Sequence, residues 1–75
     1  MFRIEKGEYE LEVYVKGQTV RVRPIIKYIY VAFFCRTLAR CEEFLAQKVC
    51  HEHWEWDKRS ILENYFQERG WQVSS

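Results

Sequence analysis

Several features that mark large classes of protein are missing from this sequence of 75 residues. It has no low-complexity stretch and no linker. Its most apolar run, from Ile25 to Cys35, is interrupted by Lys27 and is about half as long as the ~20 residues that a membrane-spanning helix needs. The N-terminus, MFRIEKGEYE, is charged from Arg3 onward and lacks the apolar segment of a signal peptide. We therefore expect a soluble cytoplasmic protein with no membrane attachment.

Neither sign of charge dominates the chain. Twelve Lys and Arg residues against 11 Asp and Glu residues give a formal net charge of +1. This balance argues against a strongly basic nucleic-acid binder and against an acidic mimic of DNA. The 3 cysteines cannot all pair within one chain, and without a secretion signal we expect reduced thiols, as in a cytoplasm.

What the sequence does contain is apolar and aromatic side chains. Hydrophobic residues make up 48% of the chain and aromatic residues 17%, so we set disorder aside. A chain of this length is near the lower limit for one self-sufficient core, and we expect a single compact domain over residues 1–75. So small a core does not readily hide so many aromatic rings. Some are expected at the surface, where they favour a partner or a self-association interface.

The stretch YELEVYVKGQTVRVR predicts a β-hairpin. Apolar residues alternate with polar ones on both sides of Lys16-Gly17, which is the period of half-buried strands. A two-residue turn at Lys16-Gly17 uses the positive φ that glycine tolerates. This turn predicts apolar and opposite-charge pairs together: Val15 with Gln18, Val13 with Val20, Leu11 with Val22, Glu12 with Arg21, and Glu10 with Arg23.

Three further segments have strand character. Phe2 and Ile4 could pair back onto Leu11 and Tyr9 through a turn at Lys6-Gly7. Residues 26–34 are rich in β-branched and aromatic residues with no polar stripe, which favours a third strand over a helix beginning at Pro24 and running to residue 50. The sequence WQV near the C-terminus could add a short final strand.

Two helices follow. Thr37 is a suitable N-cap for a helix over 37–51, and Asp57 or Ser60 can begin a second one over 57–69 that stops at Gly70. The predicted core-facing residues are Leu38, Cys41, Leu45 and Val49 in the first helix and Ile61, Leu62, Tyr65 and Phe66 in the second. The fold class is therefore α+β. An antiparallel β-meander of three or four strands (sheet 2–34) precedes two α-helices packed on one sheet face.

The segment VCHEHWEW, residues 49–56, has the composition of a metal site or a reactive cysteine. Helical geometry separates its side chains. Cys41 and Cys50 would point in opposite directions at about 100° per residue, and only Cys50 and His53 could share a face, whereas structural zinc needs four ligands. His51 would point about 100° away from Cys50, and no oxyanion-binding turn lies nearby. We expect no metal, no cofactor and no enzymatic activity, with Cys35 before the helix, Cys41 in the core and Cys50 at its margin.

The sheet face opposite the aliphatic one is the predicted site of partner binding. Tyrosine and arginine are frequent anchors of protein interfaces, and aromatic rings among arginines can also stack on bases. The predicted register matches each arginine with a glutamate, which favours a protein partner over nucleic acid. A second copy of the chain or the second helix could instead cover this face. The predicted partner-binding residues are Tyr14, Arg21, Arg23, Tyr28 and Tyr30, with Trp54 and Trp56 packed at the corner between the helices or serving as further anchors.

In the order of its elements, strands followed by helices, the chain is similar to the arm-binding domains of phage integrases and to small phage-encoded inhibitors such as anti-CRISPR proteins. No motif carries this similarity. It implies a self-contained domain that binds and blocks, or adapts, a larger machine. We expect a small non-enzymatic binding protein acting by protein–protein interaction, as a regulator, adaptor or inhibitor of a larger assembly. A homodimer and a small DNA- or RNA-binding module are the alternatives.

Overall fold

The computed structural model describes residues 1–53 and 57–74. Its elements follow in this order: β1 (Phe2–Lys6), β2 (Tyr9–Lys16), β3 (Thr19–Ile25), a 3₁₀ turn (Ile29–Val31), α1 (Ala32–Glu52), α2 (Lys58–Glu68) and β4 (Gln72–Ser74). The strands form one sheet in the order β3-β2-β1-β4, and every pair is antiparallel. The predicted α+β class is confirmed, with WQV supplying the final strand against β1.

Each of the two hairpin turns contains a glycine with positive φ. Gly7 and Gly17 have φ of 59° and 61°, and no other type of residue in the described parts of the chain has a positive φ. Glycine therefore takes the first of the two central turn positions, as in a type II′ turn, and Lys16 pairs with Thr19. The predicted turn at Lys16-Gly17 was wrong by one position, because lysine at the first place would have had to take the positive φ.

This difference shifts the β2–β3 register by two residues, so that Val13 faces Val22 and Val15 faces Val20. The β1–β2 pairing shifts in the same way, with Ile4 facing Leu11. A shift of two residues leaves every side chain on its predicted face. The face toward the helices therefore carries the expected apolar residues, all buried: Phe2, Ile4, Leu11, Val13, Val20 and Val22.

The register places two carboxylates directly opposite each other, Glu5 on β1 and Glu10 on β2. Like charges at such positions destabilise a sheet. Lys27, which follows β3, compensates for the repulsion, since its Nζ lies 3.5 Å from Glu5 Oε1 and 3.7 Å from Glu10 Oε2. The segment after β3 thus turns back toward the β1–β2 hairpin.

Residues 26–34 do not form the predicted third strand. β3 ends at Ile25, and α1 begins at Ala32 after the 3₁₀ turn. The sulfur of Cys35 anchors the first turn of α1 close to the sheet, 3.7 Å from the carbonyl oxygen of Glu10 and 3.9 Å from that of Ile25. β-branched and aromatic content suggested a strand here, but packing of the helix against β3 decides the conformation.

The buried face of α1 also differs from the predicted one. Small residues form most of it: Cys35, Ala39, Glu42, Ala46 and Cys50 are buried. The predicted face is only partly buried, and its member Cys41 is exposed. The expected placement of Cys41 in the core and Cys50 at its margin is therefore wrong. Thr37 is not an N-cap but lies inside the helix, where its hydroxyl donates to the carbonyl of Phe33 at 3.0 Å.

The ends of α2 are as the sequence predicts. The Asp57 carboxylate accepts a hydrogen bond from the Arg59 N–H at 3.1 Å, which makes Asp57 the N-cap. At the other end Gly70 has φ of 90°, and the Trp71 N–H donates to the Phe66 carbonyl at 2.9 Å. This is the Schellman arrangement. It turns the chain into β4 and buries the Trp71 ring.

An ion pair between a buried carboxylate and a partly exposed guanidinium joins α1 to the end of α2. Glu42 is 1% exposed, and its Oε1 accepts a hydrogen bond from Arg69 Nη2 at 2.9 Å. The second carboxylate oxygen has no hydrogen-bond partner among the described residues. Arg69 is therefore the group that makes a charge at this core position tolerable.

We predict that Arg69→Met lowers the free energy of unfolding by about 2 kcal/mol, because the Glu42 carboxylate is left buried without its partner. The double variant Glu42→Met/Arg69→Met should regain most of the loss, since no charge then remains buried. Urea denaturation of the three proteins measures both differences. A double variant no more stable than Arg69→Met would contradict this role for the pair.

Candidate interaction surface

The predicted residues Tyr14, Arg21 and Arg23 lie on the sheet face that the helices leave uncovered. Both arginines are exposed and Tyr14 is partly buried. The Arg23 guanidinium lies 5.5 Å from the centre of the Tyr14 ring, and the Tyr14 hydroxyl donates to Glu12 Oε2 at 3.0 Å. This hydrogen bond to a carboxylate is the main reason that the pKa of Tyr14 is raised.

The predicted charge matching on this face is wrong. Because the register is shifted, Glu12 faces Arg23 and Tyr14 faces Arg21. Glu10 faces Ile25. Arg21 therefore has no carboxylate opposite it.

Tyr28 and Tyr30 belong to the segment between β3 and α1, not to the sheet. They are 46% and 65% exposed, with ring centroids 5.6 Å apart. The Tyr30 hydroxyl donates to Glu8 Oε1 at 2.7 Å, which ties the 3₁₀ turn to the β1–β2 turn. Hydrogen bonding to this carboxylate, followed by desolvation, raises the pKa of Tyr30. Trp54 and Trp56 lie outside the described residues, so their place at a corner or an interface stays a prediction.

The most exposed apolar surface lies between β3 and the second turn of α1. Ile29 is 91% exposed and Phe33 is 73% exposed. We use the name aromatic patch for the exposed bulky residues of this segment: Ile26, Tyr28, Ile29, Tyr30, Phe33 and Phe34. At ~200 Å² for a fully exposed large side chain, their exposed fractions correspond to about 750 Å² in total. That is close to the ~800 Å² that one partner contributes to a standard protein interface, and above most apolar patches of monomers.

A second surface continues from the patch along α1. Phe33, Thr37, Arg40 and Phe44 are spaced four, three and four residues apart, so they share one side of the helix, and all are exposed. We call this side the α1 outer face. Two shallow hollows flank the Phe44 ring, which is 72% exposed. One, of about 450 Å³, lies between α1 and β3 and includes Arg21 and Arg40. The other, of about 380 Å³, includes Arg40, Cys41 and Leu45.

The outer edge of β3 is closed by α1. The Val20 N–H donates to Gln47 Oε1 at 2.7 Å, and the Val22 N–H donates to Glu43 Oε1 at 2.8 Å. The next outward position is Pro24, which has no N–H to offer. An exposed strand edge otherwise accepts a strand from another chain. Binding at the β3 edge must therefore use side chains.

The described residues include no cluster of metal ligands. In 1–53 and 57–74 no three His, Cys, Asp or Glu side chains are grouped closely enough to hold a metal ion. Cys35, Cys41 and Cys50 are free thiols, and burial raises the pKa of Cys50, which keeps it neutral and weakly nucleophilic. Within the same ranges no helix has the length and apolar character required to cross a bilayer.

Sequence reasoning missed much of this surface. It placed Ile29 and Phe33 in a predicted strand over 26–34 and gave no role to Arg40 or Phe44. The four- and three-residue spacing from Phe33 to Phe44 was the available signal, and it required reading 32–37 as helix. No protein-family model, characterised protein or solved structure matches this chain closely enough to indicate a relationship.

We predict that Glu43→Ala/Gln47→Ala destabilises the protein by about 2 kcal/mol, because two backbone N–H groups lose their acceptors. The opened β3 edge should also promote self-association. Chemical denaturation and sedimentation velocity measure the two effects. Gln67→Ala/Glu68→Ala makes the same chemical change at exposed positions of α2 and should have neither effect. Equal unfolding free energies and equal self-association of the two variants would show that closing the β3 edge does not stabilise the protein.

We predict that Glu8→Ala lowers the pKa of Tyr30 toward its ordinary value, because the neutral hydroxyl loses its acceptor. Since the folded-state pKa is raised, the stabilising contribution of this bond is present while the hydroxyl is protonated and is lost as the pH rises through that pKa. Tyrosinate absorbance during an alkaline titration measures the change. If Glu8→Ala lowered a tyrosine pKa by the same amount in a Tyr30→Phe background, the affected group would not be Tyr30.

Proposed function

We propose that this protein is a small non-enzymatic binding protein that docks on a larger protein assembly as a regulator, adaptor or inhibitor. The observation that carries the proposal is the exposure of the aromatic patch. Large exposed apolar side chains grouped in one segment favour an interaction site, and phenylalanine and tyrosine are enriched at the centres of interfaces.

The distribution of residues in α1 supports a binding role. The helix turns alanine and cysteine toward the core and exposes Phe33, Phe34 and Phe44. A helix selected only for stability would bury its largest apolar side chains, because each contributes roughly 2 kcal/mol when removed from water. These rings therefore serve a surface, not the core.

A protein partner fits this surface better than nucleic acid does. Ile26 and Ile29 belong to the aromatic patch, and an aliphatic side chain offers no π-face on which a base can stack. On the open sheet face, Glu10 and Glu12 lie among the arginines. The formal net charge is only +1, whereas nucleic-acid affinity depends on many phosphate contacts.

Absence of catalysis is part of the same proposal. No nucleophile, base and stabilising group can be named together among the described residues, and the buried thiol of Cys50 is kept neutral. We further propose that the protein acts in the cytoplasm, in keeping with its free thiols.

We predict that Ile29→Ser/Phe33→Ser abolishes binding to the partner without unfolding the protein, because both side chains lie in solvent. The melting temperature should change by less than about 3 °C, as expected for exposed positions. Crosslinking and affinity capture from the native host, followed by affinity measurement with each purified candidate, test the loss. Asn64→Ser/Gln67→Ser on the exposed side of α2 is the matched control and should retain every partner.

Three results would refute the proposal. One is retention of all partners by Ile29→Ser/Phe33→Ser at unchanged affinity. Another is a large fall in melting temperature, which would show that these side chains belong to the core. The third is recovery of nucleic acid in place of protein, with binding that falls steeply as salt rises.

A further inference from the structure

Apart from Glu52 at its C-terminal end, the exposed charged residues of α1 are all basic. Between Ile29 and His51 the exposed charged residues are Arg36, Arg40 and Lys48, and no exposed residue is acidic. Both glutamates of this stretch are hydrogen-bonded within the protein, and Glu43 also lines the hollow between α1 and β3. Glu42 is buried against Arg69, and Glu43 accepts the Val22 N–H at the edge of the sheet.

These three basic side chains also lack ion pairs and hydrogen bonds among the described residues. Lys27, Lys58 and Arg69 each contact a carboxylate or a backbone carbonyl. Arg36, Arg40 and Lys48 make no ion pair or hydrogen bond within the described parts of the chain. The outer face of α1 therefore combines apolar rings with unpaired positive charge.

The shape of this face suits an α-helix. α1 has 21 residues and so extends over about 31 Å. The Phe44 ring stands between the two hollows, as a ridge with a groove on each side. Side chains of a second helix can enter such grooves while its own groove receives the ring. Apolar anchors at helical spacing are the usual way in which a helix is recognised by a surface of this kind.

We infer that the α1 outer face binds an amphipathic helix of the partner protein whose apolar anchors are flanked by acidic residues. This inference rests on the proposed function and specifies the chemistry of the partner. Acidic residues beside the anchors would meet Arg36 and Arg40, which steers association and selects against basic partners.

A second copy of the chain is disfavoured as the occupant. In a two-fold dimer formed through this face, the same surface of each copy would meet its equivalent. With the two-fold axis near Arg36 and Arg40, these arginines would approach those of the other copy, and the exposed Glu52 at the far end of α1 is too distant along the helix to compensate. Like charges at an interface cost affinity.

The experiment uses two synthetic helical peptides with the same leucine and phenylalanine anchors. One has glutamate at the flanking positions and the other has lysine. Fluorescence anisotropy measures their binding to the intact protein. We expect the glutamate peptide to bind at least ten times more tightly. Phe44→Ser should abolish its binding, and Arg36→Glu/Arg40→Glu should reverse the preference. Arg3→Glu/Lys16→Glu makes the same change in net charge away from α1 and should leave the preference intact.

The outcomes separate this inference from the proposed function. Equal binding of both peptides, lost in Phe44→Ser, would overturn the acidic requirement and leave a protein-binding face. Binding of neither peptide would overturn the helix as occupant, while patch-dependent capture of a host protein would still support the proposed function. Tighter binding to a thymidine oligonucleotide or to phosphatidylserine vesicles, abolished by Arg36→Glu/Arg40→Glu, would overturn both.

Discussion

The packing of α1 on β3 is the contact from which most of the structure follows. Alanine and cysteine on the buried side of the helix let its axis lie close to the strand. At that distance Glu43 and Gln47 reach the outward N–H groups of β3, with hydrogen bonds of 2.8 and 2.7 Å. The edge of the sheet is closed as a result. Because helical geometry fixes the opposite side, Phe33 and Phe44 must then face solvent.

The alternation of residues and the two Lys-Gly pairs were sufficient to predict the hairpins, the class of fold and the face of each strand residue. The register was not predictable in the same way. Glycine fits either central position of a two-residue turn, and pairing Glu12 with Arg21 made the wrong choice attractive. The like-charge pair of Glu5 and Glu10 is tolerated because Lys27 reaches both, and that contact depends on the path of the chain after β3.

The first helix was misread for a different reason. Hydropathy gives most weight to large apolar residues, so Leu38, Leu45 and Val49 defined the expected buried side. The helix instead buries alanine and cysteine and exposes three phenylalanines. In a typical amphipathic helix the large apolar residues face the core. Tyr28 and Tyr30 were placed on the strand face predicted to bind a partner. Both are exposed, but they lie at the start of and within a 3₁₀ turn tied to Glu8, not on a strand. Where a helix exposes its large apolar residues, the local hydrophobic pattern disagrees with the fold, and prediction from pattern fails at such places.

The closed β3 edge and the aromatic surface beside it define how recognition can occur. Strand addition at β3 would have to displace side chains of α1 that already satisfy the backbone, so docking there relies on rings and charges. Phe33 and Phe44 project from a continuous helix held by the core, and each ring has only two side-chain torsions to fix on binding. Little conformational entropy is lost when such anchors are covered. The small residues that stabilise the fold on one side of α1 thus preorganise the proposed binding surface on the other.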